Sequence, residues 1–214
     1  MNFLAHALLA GENPADRIGG LLGDFVKGPL PAGLPPALAG GVALHRAIDG
    51  YAETHPAFVR SRQRISTARR RVGGVLVDIF YDHLLARDWG QYGEGTLTQY
   101  TAHIYASLER FSDALPAAAR EVAALMQRHD WLGSYRDVAA VGRVIERMAV
   151  HRMRRANPLP GGIDEFLADP AGFAADFAAF LPDARAFAAA WRAQRRAGAT
   201  GSGPSDQPNL KRMP

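Results

Sequence analysis

The spacing of the apolar residues is helical along almost the whole chain, and this periodicity is the strongest constraint on its fold. Apolar side chains recur every three or four residues, as they do on one face of an amphipathic helix. Alternating runs of β-branched residues, which are typical of strands, do not occur. With 214 residues, 48% of them hydrophobic, the chain is long enough to bury a core. We therefore predict an all-α, single-domain helical bundle.

Capping residues indicate where several helices begin. Asn13, which precedes a proline, predicts the start of one helix. Thr96 and Gln99 have the spacing of a capping box at the start of another. Near the C-terminus the chain loses its apolar content and becomes rich in glycine, serine and proline. We therefore expect a helical domain over residues 1–197 and a disordered tail over residues 198–214.

No segment of the sequence is typical of a membrane span. The longest stretch without a charged residue, 28–44, is rich in proline and glycine in its first half, which predicts a loop. The N-terminal segment is apolar but has no basic region, which argues against a signal peptide. We therefore expect a cytoplasmic protein.

Several apolar helices carry ionisable side chains where an aliphatic residue would be expected. The residues concerned are His6, Asp24, His45, Asp49, Asp78, Asp82 and His83. Asp78 and Asp82 lie four residues apart on the predicted central helix and hence on one face. Two carboxylates at this spacing repel, and burying each costs several kcal/mol unless a cation lies opposite.

The absence of cysteine limits what could hold such a cation. Thiolate sites are excluded, so a metal would be bound by imidazole and carboxylate groups, which suit Mn, Mg, Fe or Zn. If the helices form one bundle, the side chains can converge in its core. Each group also has a structural interpretation, as a hydrogen-bonded core histidine, an i, i+4 helix pair or a carboxylate paired with arginine. Spacing alone leaves both interpretations open.

Arginine supplies 23 of the 25 basic residues, and six arginines lie within one segment of twelve residues. The cluster consists of Arg60, Arg62, Arg64, Arg69, Arg70 and Arg71. Such a surface would attract an acidic partner. A solvated helix face and a nucleic-acid patch are the alternatives. Against nucleic acid, no aromatic residue is interleaved and no binding motif is visible.

Five blocks, in their order and spacing, resemble the acyl carrier protein phosphodiesterase family. They are MNFLAHALLA, GGLLGDFVKG, GVALHRAIDGYAETHP, VLVDIFYDHLLARDW and, more weakly, WLGSYRD. The resemblance implies an all-helical fold distantly related to HD-domain phosphohydrolases and a divalent metal, usually taken as manganese, with magnesium or iron possible. It implies removal of the 4′-phosphopantetheine arm from holo acyl carrier protein. The positions carried over are His6, Asp24, His45, Arg46, Asp49, Asp78, Asp82 and His83.

The resemblance leads to a hypothesis for each position. The expected metal ligands are His6, Asp24, His45 and Asp78. The expected catalytic residues are Asp24, Arg46, Asp49, Asp82 and His83. Asp82 or Asp49 would orient or deprotonate a water molecule, and His83 would protonate the leaving oxygen. The expected phosphate-binding residues are Lys27 and Arg46, and the arginine cluster would dock an acidic acyl carrier protein.

Two other functions remain open from the sequence. An HD-like hydrolase could act on nucleotides such as guanosine polyphosphates. A non-enzymatic, arginine-rich helical binding protein would keep the same acids as structural ion pairs. The sequence leaves the oligomeric state open, and it favours neither a nucleic-acid nor a membrane partner.

Overall fold

The computed structural model describes residues 2–151 and 157–200, and within these ranges the chain is helical with no strand. The described residues form twelve α-helices. They are α1 (Phe3–Leu9), α2 (Pro14–Leu22), α3 (Pro36–Thr54), α4 (Pro56–Arg64), α5 (Gly73–Arg87), α6 (Trp89–Tyr92), α7 (Leu97–Arg110), α8 (Ala117–Arg128), α9 (Trp131–Ser134), α10 (Val138–His151), α11 (Ile163–Ala168) and α12 (Pro170–Thr200). Among these helices none has both the length and the apolar character needed to cross a bilayer. The predicted all-α class is confirmed.

Helix α5 is the buried centre of the fold, as the sequence predicted. Every residue from Ile79 to Ala86 is buried, and α5 packs against α1, α4, α10 and α12. A helix that is apolar nearly all round is stable only when neighbours cover it on all sides. Much of that cover is aromatic, since Phe173 packs edge-on against Phe80 and Phe177 packs against Tyr81.

Helices α2 and α3 cross with their backbones in direct contact. A Cβ atom on Gly19 would lie 2.4 Å from the carbonyl oxygen of Leu38 and 2.6 Å from the Cα of Gly41. A Cβ atom on Gly41 would lie 2.6 Å from the carbonyl oxygen of Asp16. Only glycine fits at both positions, and the close approach brings the side chains of α3 up to the backbone of α2.

Helix α2 begins after Asn13, as the sequence predicted. It ends at Leu22, and Arg46 binds the carbonyl oxygens of Val26 and Gly28 in the segment that follows. Helix α12 is described as far as Thr200, and the domain limit at residue 197 stays a prediction. The rest of the predicted tail, 201–214, lies outside the described residues.

Candidate metal centre and adjoining cleft

Two histidines and one aspartate, from α1 and α3, meet at one point of the structure. The Nε2 atom of His6 lies 3.1 Å from Oδ1 of Asp49, and Nε2 of His45 lies 3.0 Å from Oδ2 of the same carboxylate. The two imidazole rings stack with their centroids 3.7 Å apart. One ligand atom from each residue lies within 4.8 Å of the other two, so a single ion could contact all three.

The backbone of α2 orients the His45 ring. Its Nδ1 lies 2.7 Å from the carbonyl oxygen of Gly20, which can only accept, so Nδ1 carries a hydrogen and donates it. In a neutral imidazole Nε2 then carries no hydrogen, and its lone pair faces the carboxylate of Asp49. Two acceptors at this distance repel unless a proton or a metal ion lies between them. A histidine that donates from one ring nitrogen to a carbonyl is typical of metal ligands.

His6 is buried, with only 1% of its surface exposed, and neither ring nitrogen makes a hydrogen bond within the described ranges. Burial, and next the nearby His45, lower the pKa of His6 to about 3, so the ring is neutral at pH 7. Burial alone would raise the pKa of Asp49, but His45 and His6 outweigh it and hold that pKa below its usual value. The neutral imidazole and the ionised carboxylate are the forms that bind metals, so the three side chains fit a divalent ion.

The glycines of α2 make the room that this arrangement needs. A Cβ atom on Gly23 would lie 2.1 Å from Cδ2 of the His45 ring. Gly23 has ordinary right-handed backbone angles, φ −51° and ψ −39°, so the requirement is for space and not for conformation. Gly19 thus lets the helices approach, Gly20 supplies the carbonyl oxygen and Gly23 admits the ring.

An open cleft of about 390 Å³ adjoins the three donors. It is lined by Asn2, Asp24, Lys27, Asp49, Val72, Val75, Asp78, Ile79, Met148 and Leu159. Burial raises the pKa of Asp78, and the neighbouring Asp49 and Asp24 act in the same direction. A phosphodiester is an anion, so carboxylates at this density would repel it unless a cation lay between them. The cleft therefore suits an anionic substrate only together with bound cations.

The structure groups the predicted site residues differently from the predicted ligand set, which itself stays a prediction. It brings His6 and His45 together with Asp49, which the sequence analysis had placed among the catalytic residues. The predicted ligands Asp24 and Asp78 lie outside this three-donor cluster and line the cleft beside it. The i, i+4 spacing of His45 and Asp49 was the available signal, but a simple helix pair has the same spacing.

Asp82 anchors helix α1. Its Oδ2 accepts a hydrogen bond from the N–H of Leu4 at 2.8 Å, and its Oδ1 accepts one from the N–H of Ala5 at 2.9 Å. These groups belong to the first turn of α1, which receives no side-chain cap from Asn2. Asp82 does not line the cleft. Asp82 thus caps helix α1 from outside the cleft, and its expected role as a base stays a prediction.

His83 also lies apart from the three donors. Its Nδ1 donates to the carbonyl oxygen of Tyr135 at 2.7 Å, and its ring packs edge-on against Phe166. Burial lowers the pKa of His83 in spite of that hydrogen bond. These contacts are those of a core histidine. The expected role in protonating the leaving oxygen has no support in the structure, because His83 does not reach the cleft.

Arg46 and Lys27 have different positions relative to the cleft. The Arg46 guanidinium donates to the carbonyl oxygens of Val26 and Gly28, each at 2.8 Å. It therefore fastens the segment that presents Lys27, which is exposed and lines the cleft. Lys27 therefore lines the cleft and Arg46 contacts the backbone beside it, while the phosphate-binding role of both residues stays a prediction.

Four of the six clustered arginines form ion pairs within the protein. The pairs are Arg60 and Arg64 with Asp176, Arg62 with Glu53, and Arg69 with Glu165. Arg70 and Arg71 are exposed and form no ion pair with any residue that the structure describes. They directly precede Val72, which lines the cleft. Within the described residues the cluster thus contains two arginines outside ion pairs, and its role in docking a carrier protein stays a prediction.

Comparisons with known proteins agree with the resemblance. The family model described as acyl carrier protein phosphodiesterase matches residues 1–184. A protein of that name from Photorhabdus laumondii subsp. laumondii is 31% identical over 183 residues, which cover 85% of this chain and 92% of the relative. Its counterpart from Yersinia pestis is 32% identical over 157 residues, which cover 73% of this chain and 81% of the relative. The protein of the same name from Escherichia coli O6:H1 is 32% identical over 158 residues, which cover 72% of this chain and 80% of the relative. No solved structure matches the chain.

Proposed function

Because the chain belongs to the acyl carrier protein phosphodiesterase family and is a phosphoric diester hydrolase, we propose that it removes the 4′-phosphopantetheine arm from holo acyl carrier protein. The observation that carries the proposal is the meeting of His6, His45 and Asp49 beside an acidic cleft. A structural ion pair needs only one imidazole for one carboxylate, whereas here two imidazoles face the same carboxylate. This feature favours an enzyme over an arginine-rich binding protein.

His6, His45 and Asp49 would hold a divalent metal, and imidazole with carboxylate suits manganese, iron or zinc. When bound, such an ion would supply a Lewis acid for the phosphoryl oxygens and would lower the pKa of water. We retain manganese as the expected metal from the family resemblance. A distant relation to HD-domain phosphohydrolases also stays a proposal, supported by histidine and aspartate donors from separate helices of an all-α fold. A cytoplasmic location stays a proposal as well.

The residues of the cleft are expected to accept the proton, orient the attacking water and bind the phosphate. Water attacks the phosphorus and gives up a proton, the bond from phosphorus to the serine oxygen breaks, and the proton passes to that oxygen. Asp78 is the expected proton acceptor, because a pKa raised by burial makes a carboxylate a better base near neutral pH. Asp24 would orient the attacking water, and Lys27 would bind an oxygen of the phosphate as a point charge.

The test is incubation of the protein with holo acyl carrier protein and Mn²⁺, with loss of the arm followed by mass spectrometry. We expect His45→Ala and Asp49→Ala to lose about 100-fold or more in kcat/KM and to bind less manganese, because each removes a ligand. His103→Ala, an exposed histidine of α7, is the matched control and should behave as the wild type.

Chelation should abolish the hydrolysis, and added Mn²⁺ should restore it. Activity that survives chelation would exclude the metal site as the source of catalysis. If the protein hydrolyses guanosine polyphosphates and leaves holo carrier protein intact, the proposed function is wrong and the alternative of a nucleotide hydrolase is favoured.

A further inference from the structure

A second pocket adjoins the cleft and differs from it in chemical character. It has a volume of about 410 Å³, and its walls include Phe3, Phe25, Val122, Leu125 and Trp131. Met148 and Asn2 line both this pocket and the acidic cleft, so the two spaces lie side by side with these residues between them. A molecule that places its phosphate in the cleft could therefore extend into the pocket.

The apolar surface of this pocket is open to solvent. Leu125 on α8 keeps 40% of its surface exposed, and Phe25, Val122 and Trp131 are only partly buried. Open apolar surface beside a catalytic cleft is typical of a binding site for an apolar group. The walls come from separate parts of the chain, namely α1, the turn after α2, and the segment from α8 to α10.

The hydrogen-bonding groups of the pocket are few, which limits what can fill it. The Asn2 amide donates to the Tyr135 hydroxyl at 3.1 Å, so these two side chains already bind each other. The other titratable residues at the lining are His129 and Arg147. The amides of a pantetheine arm would lose hydrogen bonds to water on entering such a space, and few groups could replace them. A hydrocarbon chain loses none and gains by leaving water.

We propose that this pocket binds the acyl chain that a carrier protein bears as a thioester at the end of its arm. The inference rests on the proposed function, since the cleft would hold the phosphodiester at the other end of the same arm. The pocket then determines specificity, and acylated carrier protein binds more tightly than the holo form. Each added methylene lowers KM by up to about fourfold until the pocket is full.

The substitution Leu125→Asp tests the proposal because it places a carboxylate on the apolar wall at a residue exposed enough to be replaced without unfolding. Leu167→Asp on α11 is the matched control, since Leu167 is 55% exposed and lines neither the pocket nor the cleft. We expect Leu125→Asp to raise KM for octanoyl carrier protein at least about tenfold. KM for holo carrier protein should change less than about twofold, and Leu167→Asp should change neither constant.

Binding of octanoyl-pantetheine, measured by calorimetry, separates this proposal from the proposed function because the probe has no phosphodiester. Binding that Leu125→Asp weakens and Leu167→Asp leaves unchanged supports the pocket, even if no carrier protein is hydrolysed. Equal binding of the probe by the wild type and Leu125→Asp overturns the pocket. Equal KM values for octanoyl and holo carrier protein also overturn it, and in that case hydrolysis of both leaves the proposed function intact.

Discussion

Each of the three candidate ligands is positioned by a specific group of the protein. The carbonyl oxygen of Gly20 orients His45, and the two oxygens of Asp49 face the Nε2 atoms of the stacked imidazoles. His6 takes its position from α1, whose first turn is held by the buried carboxylate of Asp82. A ligand set held in this way is organised before a cation arrives. The side chains therefore lose little conformational freedom when the ion binds.

The substitution Gly23→Ala should disrupt the metal centre without unfolding the protein. The new Cβ would lie 2.1 Å from the His45 ring and would displace it from Asp49. We expect at least about a tenfold loss of Mn²⁺ affinity, measured by titration with electron paramagnetic resonance. The control is Gly20→Ala, whose Cβ would lie 3.4 Å from the nearest backbone atom, an ordinary contact. Wild-type affinity in Gly23→Ala would contradict this account of the glycine.

Among the elements, the arginine-rich segment that follows α3 is held in place by acids of α11 and α12. Asp176 is 3% exposed and accepts hydrogen bonds from Nε of Arg60 and Nε of Arg64, both at 2.8 Å. Charge-assisted hydrogen bonds to a buried carboxylate are among the stronger polar contacts. They attach α4 to α12 and thereby support the segment that continues to Arg70 and Arg71.

Glu165 on α11 should make stability depend on pH. Burial alone would raise its pKa, but hydrogen bonds from the backbone N–H and hydroxyl of Ser66 and from Arg69 outweigh it and lower the pKa below 4.5. A carboxyl group whose pKa is lower in the folded state stabilises the fold above its unfolded pKa. That contribution is lost as the pH falls through the folded pKa. We therefore expect the free energy of unfolding to decrease below about pH 4.5.

Urea unfolding between about pH 3 and pH 6 measures this effect. Glu165→Gln should be less stable than the wild type at neutral pH, by on the order of 2 kcal/mol, and should lose less stability on acidification. The control is Glu121→Gln, an exposed glutamate of α8. An identical pH dependence for Glu165→Gln and the wild type would exclude Glu165 as the cause.

In the molecule as a whole, two exposed arginines lie close along the chain to a residue of the acidic cleft. Arg70 and Arg71 lie next in sequence to the cleft residue Val72, while Asp24, Asp49 and Asp78 line its interior. An acidic carrier protein would be attracted to the rim by the arginines. The phosphodiester alone would enter the interior, where the proposed metal and Lys27 would offset the carboxylates.

Reversal of charge at both rim arginines, Arg70→Glu with Arg71→Glu, should raise KM for holo carrier protein about tenfold at low ionic strength. The increase should shrink as salt is added, because exposed charges are screened. Hydrolysis of a small phosphodiester should be unchanged. The control with equal net charge is Arg110→Glu with Arg136→Glu, two exposed arginines that do not line the cleft. Equal effects of the two double variants would place docking elsewhere.

Properties that depend on neighbours in sequence were predictable, because hydrophobic periodicity, capping and glycine content act over a few residues. The capping box at Thr96 and the buried central helix are examples, and both are confirmed. His6 and His45 were also recognisable as site candidates, since an imidazole in an apolar helix is unusual on local grounds alone.

Only the tertiary structure decided which acids join those histidines and which serve the fold. Asp82 meets the N-terminus of α1 across 77 and 78 residues of chain, and Asp176 meets Arg60 and Arg64 across 116 and 112. A carboxylate has the same local pattern whether it faces a cation, a helix end or an arginine. The packing of distant helices makes that choice, because an electrostatic partner is defined by its distance in space.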